Sequence, residues 1–170
     1  MVRQMSLPDQ QARPFNTPIE LGLRLLFALD EAKGEAFDLQ RLVSYDYLLV
    51  HSGDVEGGPA SLHPAVPFRG GELLVKRELV LAGLDAMFAK ELLEKKFETT
   101  GICYRATALT GAFLELLVSA YASSLRTRAA WVVSRFATYT NEMLESYMTE
   151  NVGRWGAEFD RLTAIKELEL

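Results

Sequence analysis

Across residues 75–107 the apolar positions change period. Leu79, Ala82, Ala86 and Ala89 recur at helical spacing with Val80, Gly83, Leu84, Met87 and Phe88 beside them, which predicts a helix. The pattern then alternates. Leu93, Lys95 and Phe97 fall on one face, Thr99-Thr100-Gly101 turns the chain, and Ile102, Tyr104 and Ala106 return, which predicts a hairpin. Upstream, Thr17-Pro18-Ile19-Glu20 opens a helix: Thr17 can cap, Pro18 suits the first turn, and Glu20 completes a capping box. Ile19, Gly22, Leu23, Leu26 and Leu29 form its apolar face, and Gly34 can stop it. Asp38 caps a second helix with Leu39, Leu42, Val43 and Leu49 as its stripe and Tyr47 and Val50 alongside. Residues 52–71 carry five glycines and three prolines, the composition of a long loop.

Beyond the hairpin, Thr107 or Thr110 caps a helix through Phe113, Leu114, Leu117 and Tyr121. A final helix starts near Ser123 or Ser124. Ala129, Val132, Phe136, Tyr139 and Met143 follow a three-four alternation, widened by Leu125, Val133, Thr140, Leu144 and Tyr147. Unbroken to Asn151, it would be ~40 Å long. Gly153 and Gly156 then loosen the chain ahead of a short amphipathic tail, residues 159–170.

A helix feeding a short amphipathic hairpin is the second half of a winged helix-turn-helix. The expected fold class is therefore mainly α: a winged helix-turn-helix with a long inserted loop and a C-terminal helical extension. Residues 1–15, polar and holding Pro8 and Pro14, read as a flexible tail. Residues 16–121 read as the winged-helix domain, with the insert at 52–71 and the wing at 91–106. Residues 122–170 read as the C-terminal long helix and tail. Such a module grips DNA or docks proteins, and rarely performs chemistry.

Composition narrows the class. The 170 residues are 49% apolar and 24% charged, ordinary for a globular chain. Cys103 is the one cysteine, so no internal disulfide forms and a reducing cytoplasm is the expected compartment. The opening MVRQMSLPDQQARPF has no apolar run resembling a signal peptide, and no stretch approaches the ~20 apolar residues of a membrane span. A net charge of −5 disfavours a surface that clings to nucleic acid throughout.

Lys95 and Lys96 on the wing are the candidates for DNA contact. Their neighbourhood, residues 69–106, holds seven basic and six acidic side chains, so the patch is weak. The helix before it is poor in Arg, Asn and Gln for reading base edges. His51, His63 and Cys103 lack the spacing of a metal site. His51 and Asp54 could form an acid/base pair, or with His63 order the loop at the end of the second helix, or contact a second partner through the loop and wing. Asp46 sits between Tyr45 and Tyr47, where a carboxylate usually accepts a hydrogen bond from a neighbouring element. There is no GxxxxGK[ST] and no nucleophile set. No cofactor or enzymatic activity is expected.

Trp131, with Arg128 and Arg135 on its helix face and pointing away from the Val132/Phe136 stripe, has the residue types of an interface anchor. Stacking against a fold-back segment of the same chain is the alternative. The long helix also carries its charges in reverse, with Arg126, Arg128 and Arg135 early and Glu142, Glu145 and Glu150 late. That opposes the macrodipole, so either the helix breaks near Thr140-Asn141 or a partner compensates. Trp131, Phe136 and Met143 are the expected partner-binding positions.

Four segments carry a resemblance: Asn16-Thr17-Pro18; Asp46-Tyr47-Leu48-Leu49-Val50-His51-Ser52-Gly53-Asp54; Ser61-Leu62-His63-Pro64; and Arg69-Gly70-Gly71-Glu72-Leu73. Together they resemble the middle component of ABC three-component systems, nearest the small accessory subunits of Lamassu-type antiphage defence. The likeness covers roughly residues 16–136; nothing beyond Thr138 resembles a known segment. It implies a winged-helix protein that partners an SMC-like ABC ATPase subunit. It also implies an effector subunit, often nuclease-type, held inactive until foreign DNA is sensed through the complex. No membrane partner is implied. The other expected reading is a stand-alone winged-helix DNA-binding transcriptional regulator.

Overall fold

The computed structural model describes residues 16–65 and 69–168, with side chains described for 16–65 and 76–155. Helix α1 (Pro18–Glu31) starts as its sequence dictates. Thr17 Oγ1 accepts from the Glu20 amide at 3.3 Å, and Glu20 Oε2 accepts from the amides of Thr17 and Asn16 at 3.1 and 2.9 Å. The short strand β1 (Phe37–Asp38) leads into α2 (Leu39–Val50), where Asp38 Oδ1 accepts from the Arg41 amide at 2.7 Å. Every residue from Arg41 to Val50 is buried. A helix covered on all sides sits in the middle of a domain, and α1, α3, α5 and α6 surround it.

Helix α3 (Arg69–Ala89) begins earlier than residue 75 and takes Arg69 to Gly71 out of the expected loop. It crosses α1 at its closest point through Gly22 and Gly83. A Cβ on Gly22 would lie 2.5 Å from the Gly83 carbonyl oxygen, so neither position admits a side chain. Strands β2 (Leu93–Glu98) and β3 (Gly101–Ala106) then form the predicted hairpin, pairing Lys95 with Tyr104 and Phe97 with Ile102. β1 adds to β3, giving an antiparallel sheet in the order β1-β3-β2. The chain is thus mostly helical, six helices and one small sheet among the described residues.

After the hairpin the structure departs from the sequence reading. Helix α4 (Ala108–Glu115) ends before Tyr121, which belongs to the next helix, α5 (Ala120–Arg135). Ser119 restarts the chain, its Oγ accepting from the Ala122 amide at 3.1 Å. The long helix does not run unbroken to Asn151. It turns at residues 136–140, and α6 (Asn141–Leu168) begins with Thr140 Oγ1 accepting from the Met143 amide at 3.1 Å. The reversed charges explain the break: Arg135 now sits at the carboxyl end of α5 and Glu142 in the first turn of α6, each at its favourable pole. Phe136 fills the elbow, its ring 5.1 Å from Tyr139 and 5.3 Å from Tyr147. Gly153 and Gly156 do not interrupt α6, which continues to Leu168.

The expected boundary at residues 121–122 falls inside α5. Leu125, Ala129, Val132, Phe136, Leu144, Met148, Val152 and Trp155 belong to the same core cluster as α1 and α2. Arg41 locks α2 to the elbow: it donates to Asn141 Oδ1 at 2.7 Å, to the Tyr45 hydroxyl at 2.9 Å and to the Tyr139 carbonyl.

Candidate functional site

The charged residues Arg24 on α1, Asp46 on α2 and Lys76 on α3 meet in the centre of the molecule. Arg24 Nε donates to Asp46 Oδ1 at 2.9 Å and Nη2 to Oδ2 at 3.1 Å, a two-pronged pair. Lys76 Nζ lies 3.6 Å from Asp46 Oδ2. The side chains of Arg24 and Asp46 are 2% and 0% exposed. Arg24 Nη2 also donates to Asn16 Oδ1 at 3.3 Å, tying in the start of α1. Burial works to lower the Arg24 pKa, but the contact with Asp46 outweighs it and the guanidinium is held above its ordinary range. Asp46 accepts hydrogen bonds from a neighbouring element, as its apolar context predicts. Each oxygen accepts from Arg24, and Lys76 stands against one of them.

A second polar line runs from this centre to the loop. His63 Nε2 is 2.9 Å from the Tyr121 hydroxyl on α5, and their rings stack at 6.1 Å. Partial burial, then the charges of Arg24, His51 and Lys76, push the His63 pKa down to about 4, with Asp46 opposing. His63 is therefore neutral near pH 7. His51, buried at the end of α2, packs its ring 4.8 Å from Tyr47 and edge-on to His63 at 6.4 Å. Tyr47 donates to Asp54 Oδ2 at 2.6 Å and stacks on Trp155 of α6 at 5.6 Å.

The loop segment itself is built onto α2 and α5. The amides of Leu62 and His63 both donate to the Val50 carbonyl, at 2.9 and 3.0 Å, closing the end of α2. Arg128 Nε and Nη2 donate to the Ala60 carbonyl at 3.0 and 2.5 Å. Gly58 lies against Trp131: a Cβ there would come within 3.0 Å of the indole. His51, Asp54 and His63 are thus brought together, not as an open acid/base pair but as members of one packed polar layer.

The remaining candidate residues are dispersed. Trp131 is half-buried under the loop rather than facing solvent, because residues 58–60 fold over α5. Phe136 is fully buried, and Arg135 stacks on Phe136 and Tyr139 at 5.2 and 5.8 Å. Met143 is half-exposed on α6. Lys95 Nζ bonds Asp85 at 2.8 Å, a contact that raises its pKa, and Lys96 sits 4.0 Å from Glu98. Both hairpin lysines already face carboxylates. Sequence reasoning missed Arg24 and Lys76 as the cations around Asp46. The signal was present for Arg24, one charge inside the apolar run Leu21 to Leu29.

What this centre does chemically is hold three helices and a loop in register by ion pairing. Among the described residues no group of three or more His, Cys, Asp or Glu side chains is placed to hold a metal ion. No described helix is long and apolar enough to cross a membrane.

No match to the chain was found among curated proteins or among solved structures. A family model does match, over residues 14–158, from the start of the α1 capping box to just past Trp155. The matched span holds every member of the buried charged centre and of the polar layer. The chain belongs to the family of ABC-three component (ABC-3C) system Middle Component 2.

Proposed function

We propose that this chain is the non-catalytic bridging subunit of a Lamassu-type antiphage assembly, joining an SMC-like ABC ATPase to a nuclease-type effector. In this reading it restrains the effector until foreign DNA is sensed through the complex. The observation that carries it is membership of a middle-component family over nearly the whole chain. A protein defined as the middle of three components works through contact with the others. The buried ionic centre supports the reading, because its charges are spent on holding the fold and not on an open cleft.

Within this proposal residues 16–121 carry the winged-helix part, and residues 122–170, whose α5 and α6 share its core, extend it towards a partner. The α5–α6 elbow supplies one contact, through Met143 and the Arg128–Trp131–Arg135 region, with Phe136 as its buried support. The loop segment bearing His51, Asp54 and His63 braces a second. Lys95 and Lys96 would touch DNA only after surrendering their carboxylate partners, so DNA contact comes chiefly through the complex.

Co-expression with the two neighbouring components tests the proposal. The chain should copurify with both, and omitting it should release effector activity. The isolated chain should bind duplex DNA weakly. Tight duplex binding by the lone chain, falling steeply with salt, would overturn the adaptor in favour of a stand-alone regulator.

A further inference from the structure

Between α1 and the α4–α5 corner lies a pocket of about 350 Å³. Its walls are apolar: Leu23 and Phe27 from α1, Leu117 and Leu125 from the far side. Its lips, Leu116 and Val118, are 75% and 89% exposed, apolar side chains left in water on a four-residue link between two helices. Three features give the pocket a positive character. Arg24 lines it, and its buried Nη1 has no partner within hydrogen-bond distance: Asp46 and Asn16 take Nε and Nη2, and the Tyr121 hydroxyl, also on the pocket, stands close enough to favour the charged guanidinium. The amino end of α5 opens onto it through Ser119, Tyr121 and Ala122. Ser119 answers the Ala122 amide, leaving the amides of Ala120 and Tyr121 outside the helix ladder. Of the α5 arginines, Arg126 stands beside the pocket, 5.5 Å over the Phe27 ring, while Arg128 and Arg135 are held at the Ala60 carbonyl and at the elbow. Glu20, the one carboxylate on the pocket among the described residues, is spent on the α1 cap.

We infer that this pocket docks a segment of a partner protein that presents a carboxylate beside one bulky apolar side chain. The apolar group fills the space between Phe27 and Leu125, and the carboxylate turns towards the α5 amides and the Arg24 side. A partner segment as the occupant rests on the adaptor reading; the preference for a carboxylate rests on the pocket alone.

The test has two arms. In the first, the full chain is titrated with 4-phenylbutyrate and with its uncharged amide, 4-phenylbutanamide, by amide NMR. The acid should bind about tenfold tighter and shift the Ala120 and Tyr121 amides. Equal affinity, no binding, or shifts elsewhere in the molecule would overturn the inference. In the second, Leu116→Glu and Val118→Glu, at exposed lips that the fold does not need, are co-expressed with the two other components. Circular dichroism verifies that both variants remain folded. Each should weaken copurification of one component at least tenfold, and Leu116→Lys should not. Retention of both components by the Glu variants overturns the inference and leaves the adaptor reading standing. Failure of the unaltered chain to copurify removes the adaptor reading and the proposed occupant, while the carboxylate preference is still decided by the first arm.

Discussion

Replacing Asp46 by Ala should be among the most damaging single changes to this fold. The carboxylate is fully buried and answers Arg24 through two hydrogen bonds, with Lys76 at 3.6 Å. Removing it strands a desolvated guanidinium, for which the cost is about 3–5 kcal/mol. That is at least about a fifth of the roughly 5–15 kcal/mol that holds an ordinary domain together. With a urea m-value of about 2 kcal/mol per molar, the unfolding midpoint should fall by about 1.5–2.5 M. Arg24→Met should cost a similar amount, because it leaves Asp46 short of its main partner. The double variant Arg24→Met with Asp46→Leu should recover much of the loss, since two apolar side chains can replace a buried pair at little net cost. Urea denaturation of the unaltered chain, Arg24→Met, Asp46→Leu and the double variant closes the cycle, with Asp46→Ala measured beside it. A loss below about 1 kcal/mol for Asp46→Ala would match a solvated surface pair and refute the reasoning. So would strict additivity in the double variant.

Four further outcomes follow from other parts of the molecule. Gly83→Ala places a Cβ 2.7 Å from the Gly22 nitrogen and should cost at least about 1–3 kcal/mol. Gly153→Ala meets open space on α6 and should stabilise by up to about 1 kcal/mol, so the reverse order in thermal melts would sink the packing account. His63 is held at about 4 in the folded state against about 6.5 when unfolded, so the unfolded chain takes up its proton first as the pH falls. Its contribution is therefore complete above pH 6.5, shrinks between 6.5 and 4, and changes no further below. After allowance for solvent around a half-buried ring, the loss is on the order of 1–2 kcal/mol. His63→Gln should flatten that part of the pH dependence in urea midpoints at pH 7 and 5; identical profiles would refute it. Arg128→Ala removes both bonds to the Ala60 carbonyl and should speed amide exchange in residues 58–63 about tenfold, which hydrogen-exchange mass spectrometry would read.

The first half of the fold was legible because its signals are local. The capping box at Thr17 and Glu20, the Asp38 cap and the Thr99-Thr100-Gly101 turn each satisfy backbone groups within a few residues, so the sequence carries their whole cause. The second half hid two breaks. Residues 116–119 contain no proline or glycine, and the turn there is made by Ser119 restarting a helix. The break at 136–140 showed itself only in the misplaced charges, and what holds it shut is tertiary: Phe136 packs on Tyr139 and on Tyr147 of α6, and Arg41 reaches across from α2 to Tyr139 and Asn141. The apparent loosening at Gly153 and Gly156 failed for the same reason, since buried Val152 and Trp155 pin the helix there. Of the candidate site, Asp46 showed itself by being out of place among apolar residues, but its partners lie 22 and 30 positions away and no local pattern joins them.

The same long-range contacts decide how the proposed docking face would behave. Tyr121 and Arg24 line the pocket, and each is held from behind, Tyr121 by His63 and Arg24 by Asp46 and Asn16. His63 in turn belongs to the segment that closes α2 onto Val50. The pocket floor is therefore preformed, and a partner that enters it need not first order those groups, which lowers the entropic cost of association. Only the lips lack such support, because Leu116 and Val118 stand on the short link between α4 and α5. Binding energy from the apolar side chain would be gained mainly by covering those lips, while the carboxylate preference comes from the fixed floor. A lip substitution should then change how tightly a partner is held, and a floor substitution should change which partner is accepted.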